Sequence, residues 1–91
     1  MAAMHSDPDL KRLCWRAHHR GTKEADILIG SFFDAHAHEW GEGERTLFAT
    51  MLDEQDVDIL SWASGTAEAP ERFRGTMLQQ LQKLDYIPVA R

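Results

Sequence analysis

The strongest constraint in this chain is the set Ala25, Leu28, Ile29, Phe32 and Phe33, whose spacing follows the period of an α-helix. A strand sends successive side chains to opposite faces and cannot gather these residues on one side. The helix they define begins at Thr22, whose hydroxyl can accept from the free N–H groups of the first turn. Glu24 and Asp26 follow in that turn, where the positive end of the helix dipole favours carboxylates. The segment is expected to continue to about His38, to form the centre of the core, and to break at Gly41-Glu42-Gly43.

Other segments repeat the pattern. Asp7-Pro8 reads as an N-cap followed by a first-turn proline, opening a helix that runs to about Arg20. Leu10, Leu13, Cys14 and Ala17 form its apolar stripe, Trp15 lies off it, and Gly21 supplies the residue for a left-handed C-terminus. Leu47, Phe48, Met51 and Leu52 define a third short helix ended by Asp53-Glu54-Gln55. Asp56 is the expected cap of a fourth, with Val57, Leu60 and Ala63 inward and Gly65 as its stop. After the linker Thr66–Pro70, a fifth helix begins near Glu71 with the seam Phe73, Met77, Leu81 and Leu84. Gly75 weakens it by about 1 kcal/mol relative to alanine, and Pro88 blocks further extension. No alternating strand pattern of useful length occurs. The expected fold is all-α, a compact bundle of about five short helices forming a single helical domain over residues 1–91, with its core at about 8–84 and flexible ends.

A chain of 91 residues can bury one core but not build two lobes around a deep cleft, which favours a binding module over an enzyme. Fifteen acidic against ten basic residues give a net charge of -5, opposing association with nucleic acid. The lone Cys14 excludes an internal disulfide and suits a reducing compartment. No run approaches the roughly 18 apolar residues of a membrane span, so no membrane insertion is expected. Residues 1–8 lack the features of a signal or transit peptide, so a cytoplasmic, bacterial-type location is expected.

Charge and backbone freedom concentrate at one junction, His19-Arg20-Gly21-Thr22-Lys23-Glu24-Ala25-Asp26, between the first two helices. Freed carbonyls, freed N–H groups and side-chain charges share this corner, which suits docking better than chemistry. Arg20-Gly21-x-x-Glu24-x-Asp26, with Phe32 further along, resembles the RGxxExD element of the small flavinylation factors of succinate dehydrogenase, the assembly factor 2 family. A second block, Met51-Leu52 followed by Asp56-x-Asp58-Ile59-x-x-Trp62, is similar to that family's later pattern. The resemblance covers about residues 10 to 65. His19 stands where members often carry a second basic residue, and Ala25 where they carry a bulkier apolar one.

The resemblance implies a non-enzymatic assembly factor or chaperone. Such a protein binds the flavoprotein subunit of succinate dehydrogenase, or of the related fumarate reductase, and promotes covalent attachment of FAD to a histidine of that subunit. It also implies partner-binding roles for Arg20, Gly21, Glu24 and Asp26, with His19, Asp56, Asp58 and Trp62 as secondary candidates. A generic helical adaptor is the alternative reading.

Taken residue by residue, other roles stand beside these. Arg20 can bond Glu24 or the last carbonyls of the first helix, although the resemblance favours a partner contact. Gly21 serves as a C-cap and allows close approach of another chain. Glu24 is a dipole-favoured carboxylate or an acceptor for the partner, whereas Asp26 mainly stabilises its helix. Asp56 and Asp58 read first as a cap and a dipole partner, and Trp62 as packing.

No metal ligands are expected. His36 and His38 lie about 200° apart on a helix, adjacent His18 and His19 also diverge, and all read as solvated surface histidines. Cys14 reads as a buried, inert thiol. With no glycine-rich dinucleotide fingerprint after a strand, no tight FAD site is expected in this chain.

Overall fold

The computed structural model describes residues 7–88. Expectations about a leader or transit segment, and about flexible ends at residues 1–6 and 89–91, fall outside the described residues. Five α-helices follow one another: α1 Pro8–His18, α2 Lys23–His36, α3 Glu42–Leu52, α4 Asp56–Ser64 and α5 Thr76–Lys83. Short 3₁₀ turns cover Ala37–Glu39 and Glu71–Phe73. No strand occurs among the described residues, so the all-α expectation holds.

Local chemistry sets the starts of the first helices. Asp7 Oδ1 accepts from the N–H groups of Asp9 (2.9 Å) and Leu10 (3.3 Å), and Thr22 Oγ1 accepts from that of Ala25 (3.2 Å). The other Asp7 oxygen accepts from Arg45 at 2.8 Å, joining the start of α1 to α3. Gly41 does more than break the chain. It is the N-cap of α3, and its N–H donates to the Glu44 carboxylate at 2.9 Å, so α3 begins five residues before the apolar set that announces it.

The core is entirely apolar among the described residues. Ala25, Ile29, Phe32 and Phe33 of α2 occupy its centre, as their spacing requires, with Leu10, Leu13 and Ala17 of α1 on one side. Phe32, Phe33 and Phe48 surround Trp40, whose ring centroid lies 4.8 Å from that of Phe48. Tyr86 closes one edge, its ring edge-on to Phe32 at 5.1 Å and its hydroxyl donating to the Leu81 carbonyl at 2.7 Å.

The structure corrects several sequence expectations. Helix α1 stops at His18 and not near Arg20, because the His19 imidazole Nδ1–H donates to the Trp15 carbonyl at 2.7 Å while its ring stacks on Trp15. A side chain therefore satisfies a carbonyl that another helical turn would have used. Helix α2 tightens into the 3₁₀ turn after His36. Asp56 is the first residue of α4 and not its cap, which is Gln55.

Helix α4 is also rotated relative to expectation. Ile59, Trp62 and Ala63 are buried, Leu60 is half-buried and Val57 is 67% exposed. Val57 and Ile59 lie about 200° apart on a helix, and the face carrying Trp62 buries the larger apolar area, with its ring 5.4 Å from Phe73. The fifth segment is split at Gly75, whose φ of 142° is open to glycine, so α5 starts at Thr76. Phe73, Met77 and Leu81 are buried, but Leu84 turns left-handed and is 40% exposed.

Replacing Phe48 by alanine should cost about 3–5 kcal/mol, because it opens a cavity among three other aromatic rings. Urea unfolding of the purified variant reads this. A second expectation concerns acid. The Arg45 hydrogen bond, followed by the Leu10 N–H, holds the Asp7 carboxyl below the usual carboxylate range. Ionised Asp7 therefore favours folding fully above that range, and the contribution is lost as pH falls through the lowered value. Asp7→Asn should flatten this acid limb in thermal unfolding measured across a series of acidic buffers.

Candidate functional site

The α1–α2 corner is braced from within. Arg20 is only 10% exposed at its side chain; its Nε donates to Asp56 Oδ1 at 2.8 Å and its terminal nitrogen to the Glu54 carbonyl at 3.0 Å. Within the chain, Arg20 therefore pairs with Asp56 and the Glu54 carbonyl, and not with Glu24 or the last α1 carbonyls as the sequence suggested. The short α3–α4 connection leaves the Glu54 carbonyl for a side-chain donor and opens α4 with the Asp56 carboxylate, and a guanidinium fork satisfies both at once.

Asp26 completes the brace from the other side. Its Oδ1 accepts from the Arg20 N–H in a short hydrogen bond and lies 3.4 Å from the Gly21 N–H. The turn that carries Arg20 and Gly21 is thus fixed by a carboxylate one turn into α2. Asp26 faces its own backbone, and Asp56 faces Arg20.

Gly21, Thr22, Lys23 and Glu24 remain on the outside. Gly21 does not cap α1 but adopts φ 125°, a conformation that side chains rarely take, and the nearest atom that a Cβ at this position would meet is Asp56 Oδ2 at 3.8 Å. The position therefore demands glycine for its backbone angle and not for lack of space. Glu24 is exposed and makes no side-chain hydrogen bond or ion pair among the described residues. Asp58 and Val57 are exposed on α4 beside Asp56, and the stacked Trp15–His19 pair, with centroids 4.3 Å apart, is exposed on the α1 side. Trp62 is 5% exposed and packs in the core.

The sequence grouped Arg20, Gly21, Glu24 and Asp26 as one docking set, but the structure divides them. Arg20 and Asp26 hold the corner, and Gly21 and Glu24 are displayed by it. What the sequence could not show is that its two separate motif blocks meet, through Arg20 and Asp56, 36 residues apart.

A family model described as flavinator of succinate dehydrogenase matches residues 11–85. The chain belongs to that family. Among flavinator relatives, the FAD assembly factor SdhE of Acetobacter pasteurianus is 38% identical over 71 residues, covering 78% of this chain and 65% of the relative. The mitochondrial succinate dehydrogenase assembly factor 2 of Dictyostelium discoideum is 33% identical over 79% of this chain and 51% of its own length. The chain thus spans about half to two thirds of these two curated relatives. The FAD assembly factor SdhE of Aliivibrio fischeri is 30% identical over 86% of this chain and 90% of the relative. No solved structure gives a significant match.

Elsewhere on this flavinator family member, a groove of about 510 Å³ runs between α1 and α3, lined by Arg12, Arg16 and Arg45 among others. Each arginine is already paired, with Asp9, Asp53 and Asp7 respectively, which cancels much of the positive charge a phosphate would seek. No helix among the described residues is long and apolar enough to cross a membrane. The histidines differ from expectation. His36 packs on Phe32 with centroids 4.9 Å apart, and His18 Nε2 lies 3.0 Å from Asp34 Oδ1, so neither is a merely solvated surface group.

Gly21→Ala should destabilise the fold by about 1–3 kcal/mol through backbone strain alone. Denaturant unfolding with an unchanged slope and a lower midpoint would show it, whereas Gly43, which has open space around it and no positive φ, should accept alanine without such a loss.

Proposed function

We propose that this chain binds the flavoprotein subunit of succinate dehydrogenase, or of the related fumarate reductase, and promotes covalent attachment of FAD to that subunit without catalysing the bond itself. Membership of the flavinator family supports this reading, as do the names of its relatives, which describe assembly factors for FAD or for succinate dehydrogenase. The observation that carries it to particular residues is the exposed, unengaged Glu24 carboxylate beside Gly21, on a corner held rigid by Arg20, Asp26 and Asp56.

A rigid corner loses little conformational freedom when a partner closes over it, so more of the contact energy appears as affinity. Glu24 accepts from donors on the flavoprotein, and the open backbone at Gly21 lets the partner chain approach closely. Arg20, Asp26 and Asp56 act indirectly, by fixing the turn, and Trp62 by packing beneath it.

The action is selection of a partner conformation. A factor that bound every state of the flavoprotein equally would shift nothing, so it must favour the state in which the acceptor histidine and the flavin are correctly placed. FAD itself stays with the partner in this reading. The paired arginines of the α1–α3 groove support that assignment, since they offer no free cluster for the pyrophosphate.

Co-expression with a flavoprotein subunit, followed by covalent-flavin fluorescence of the denatured subunit, tests the proposal. The parent chain should raise the signal well above that of the subunit alone. Glu24→Ala should keep the helical circular dichroism and thermal midpoint of the parent but weaken complex formation about tenfold or more, the consequence of losing a charged hydrogen bond. A Glu24→Ala protein that binds and flavinylates like the parent would remove the corner as the docking site, and a parent chain without effect would remove the assigned function.

A further inference from the structure

Cys14 and His18 stand one turn apart on α1, and Asp34 approaches them from α2. One donor atom from each, a sulfur, an imidazole nitrogen and a carboxylate oxygen, lies within 4.8 Å of the others. We propose that Cys14, His18 and Asp34 form a binding site for a borderline divalent cation of the zinc class, clamping α1 to α2. This site is separate from the docking corner and does not rest on the flavoprotein assignment.

The donor set selects the ion. A thiolate, an imidazole and a carboxylate are together the ligands of Zn²⁺, whereas magnesium and calcium take oxygen donors. Zinc bonds of about 2.0–2.3 Å place tetrahedral donors near about 3.5 Å from one another, so closure from the observed spacing needs side-chain movement of about 1 Å. The fourth position is left for water.

Gly30 is a second and independent observation. It lies in the middle of α2, where glycine weakens a helix relative to alanine. A Cβ there would meet His18 Nδ1 at 2.5 Å and the ring carbons at 2.7 and 3.0 Å. The absent side chain therefore lets the Nδ1 side of the imidazole lie against α2 at Gly30, while Nε2 lies 3.0 Å from Asp34. The nitrogen that faces away from Gly30 is the one beside the carboxylate.

The path to solvent is open on the same side: the side chains of His18 and Asp34 are 36% and 59% exposed, and Cys14 is half-buried. Without a cation the site favours a neutral thiol, since burial first and the Asp34 charge second push the Cys14 pKa up. A bound cation would offset that charge; the sulfur–metal bond forms as the thiol proton leaves to solvent, and no oxidation or reduction is involved. The sequence pointed away from this site because it paired His18 with its neighbour His19 and assigned Cys14 to the core. The effective pair is Cys14 with His18, four residues apart on one helical face.

Titration of the full chain with Co²⁺ tests the proposal. The expected result is near-stoichiometric binding of a single ion with thiolate-to-cobalt absorption in the near ultraviolet, displaced by Zn²⁺. Cys14→Ser should abolish that absorption. Asp34→Asn, a change at an exposed carboxylate that leaves the helical circular dichroism intact, should weaken binding about tenfold or more. No cobalt binding, binding without thiolate absorption, or Asp34→Asn binding as tightly as the parent would each overturn it.

Discussion

Arg20 joins the two halves of this structure. Its guanidinium lies where the α1–α2 corner meets the α3–α4 corner, and it engages Asp56 at the start of one helix and the Glu54 carbonyl just after another. Five short helices present many terminal N–H and C=O groups, each of which needs a partner. At this junction one side chain and the Asp26 carboxylate serve four chain segments. A largely buried ion pair loses hydration when it forms, so its main contribution is to specify one arrangement of the two corners. The aromatic core around Phe32, Phe33, Trp40 and Phe48 supplies the bulk of the apolar burial, but it does not by itself fix how one turn sits against another.

That arrangement separates holding from display. Side chains that a motif reading treats as one contact set are used in two directions: Arg20 and Asp26 inward, Glu24 outward, with Gly21 supplying a backbone angle few other residues tolerate. Under the proposed docking role, loss of function on changing Arg20 would report a collapsed corner, whereas loss on changing Glu24 would report the contact itself. The flavinator family membership and the proposed docking role are compatible with this division, since a rigid display surface favours one partner state over others at low entropic cost.

Much of this was legible in the sequence wherever a short-range rule sufficed. Asp7 and Thr22 cap the helices they were expected to cap, Gly65 ends α4 in the left-handed conformation, and the α2 stripe lies in the core apart from the half-buried Leu28. Three things were not legible, each for a physical reason. The partner of Arg20 is 36 residues away, and periodicity carries no information about tertiary pairing. Two apolar sets on α4 share helical spacing, and only the volume of Trp62 against Phe73 decides between them. Trp40 follows a 3₁₀ turn, outside any periodic segment, so no stripe announced its burial. The convergence of Cys14, His18 and Asp34 likewise depends on how α1 crosses α2 at Gly30.

The most direct test of the internal brace is a double-mutant cycle on Arg20→Ala and Asp56→Ala, read by denaturant unfolding of the isolated protein with no partner present. Groups in direct contact couple by about 0.5–3 kcal/mol, so the sum of the two single losses should exceed the loss in the double variant by that amount. Additive losses, with coupling near zero, would mean that Arg20 does not hold the corner and is free to face outward.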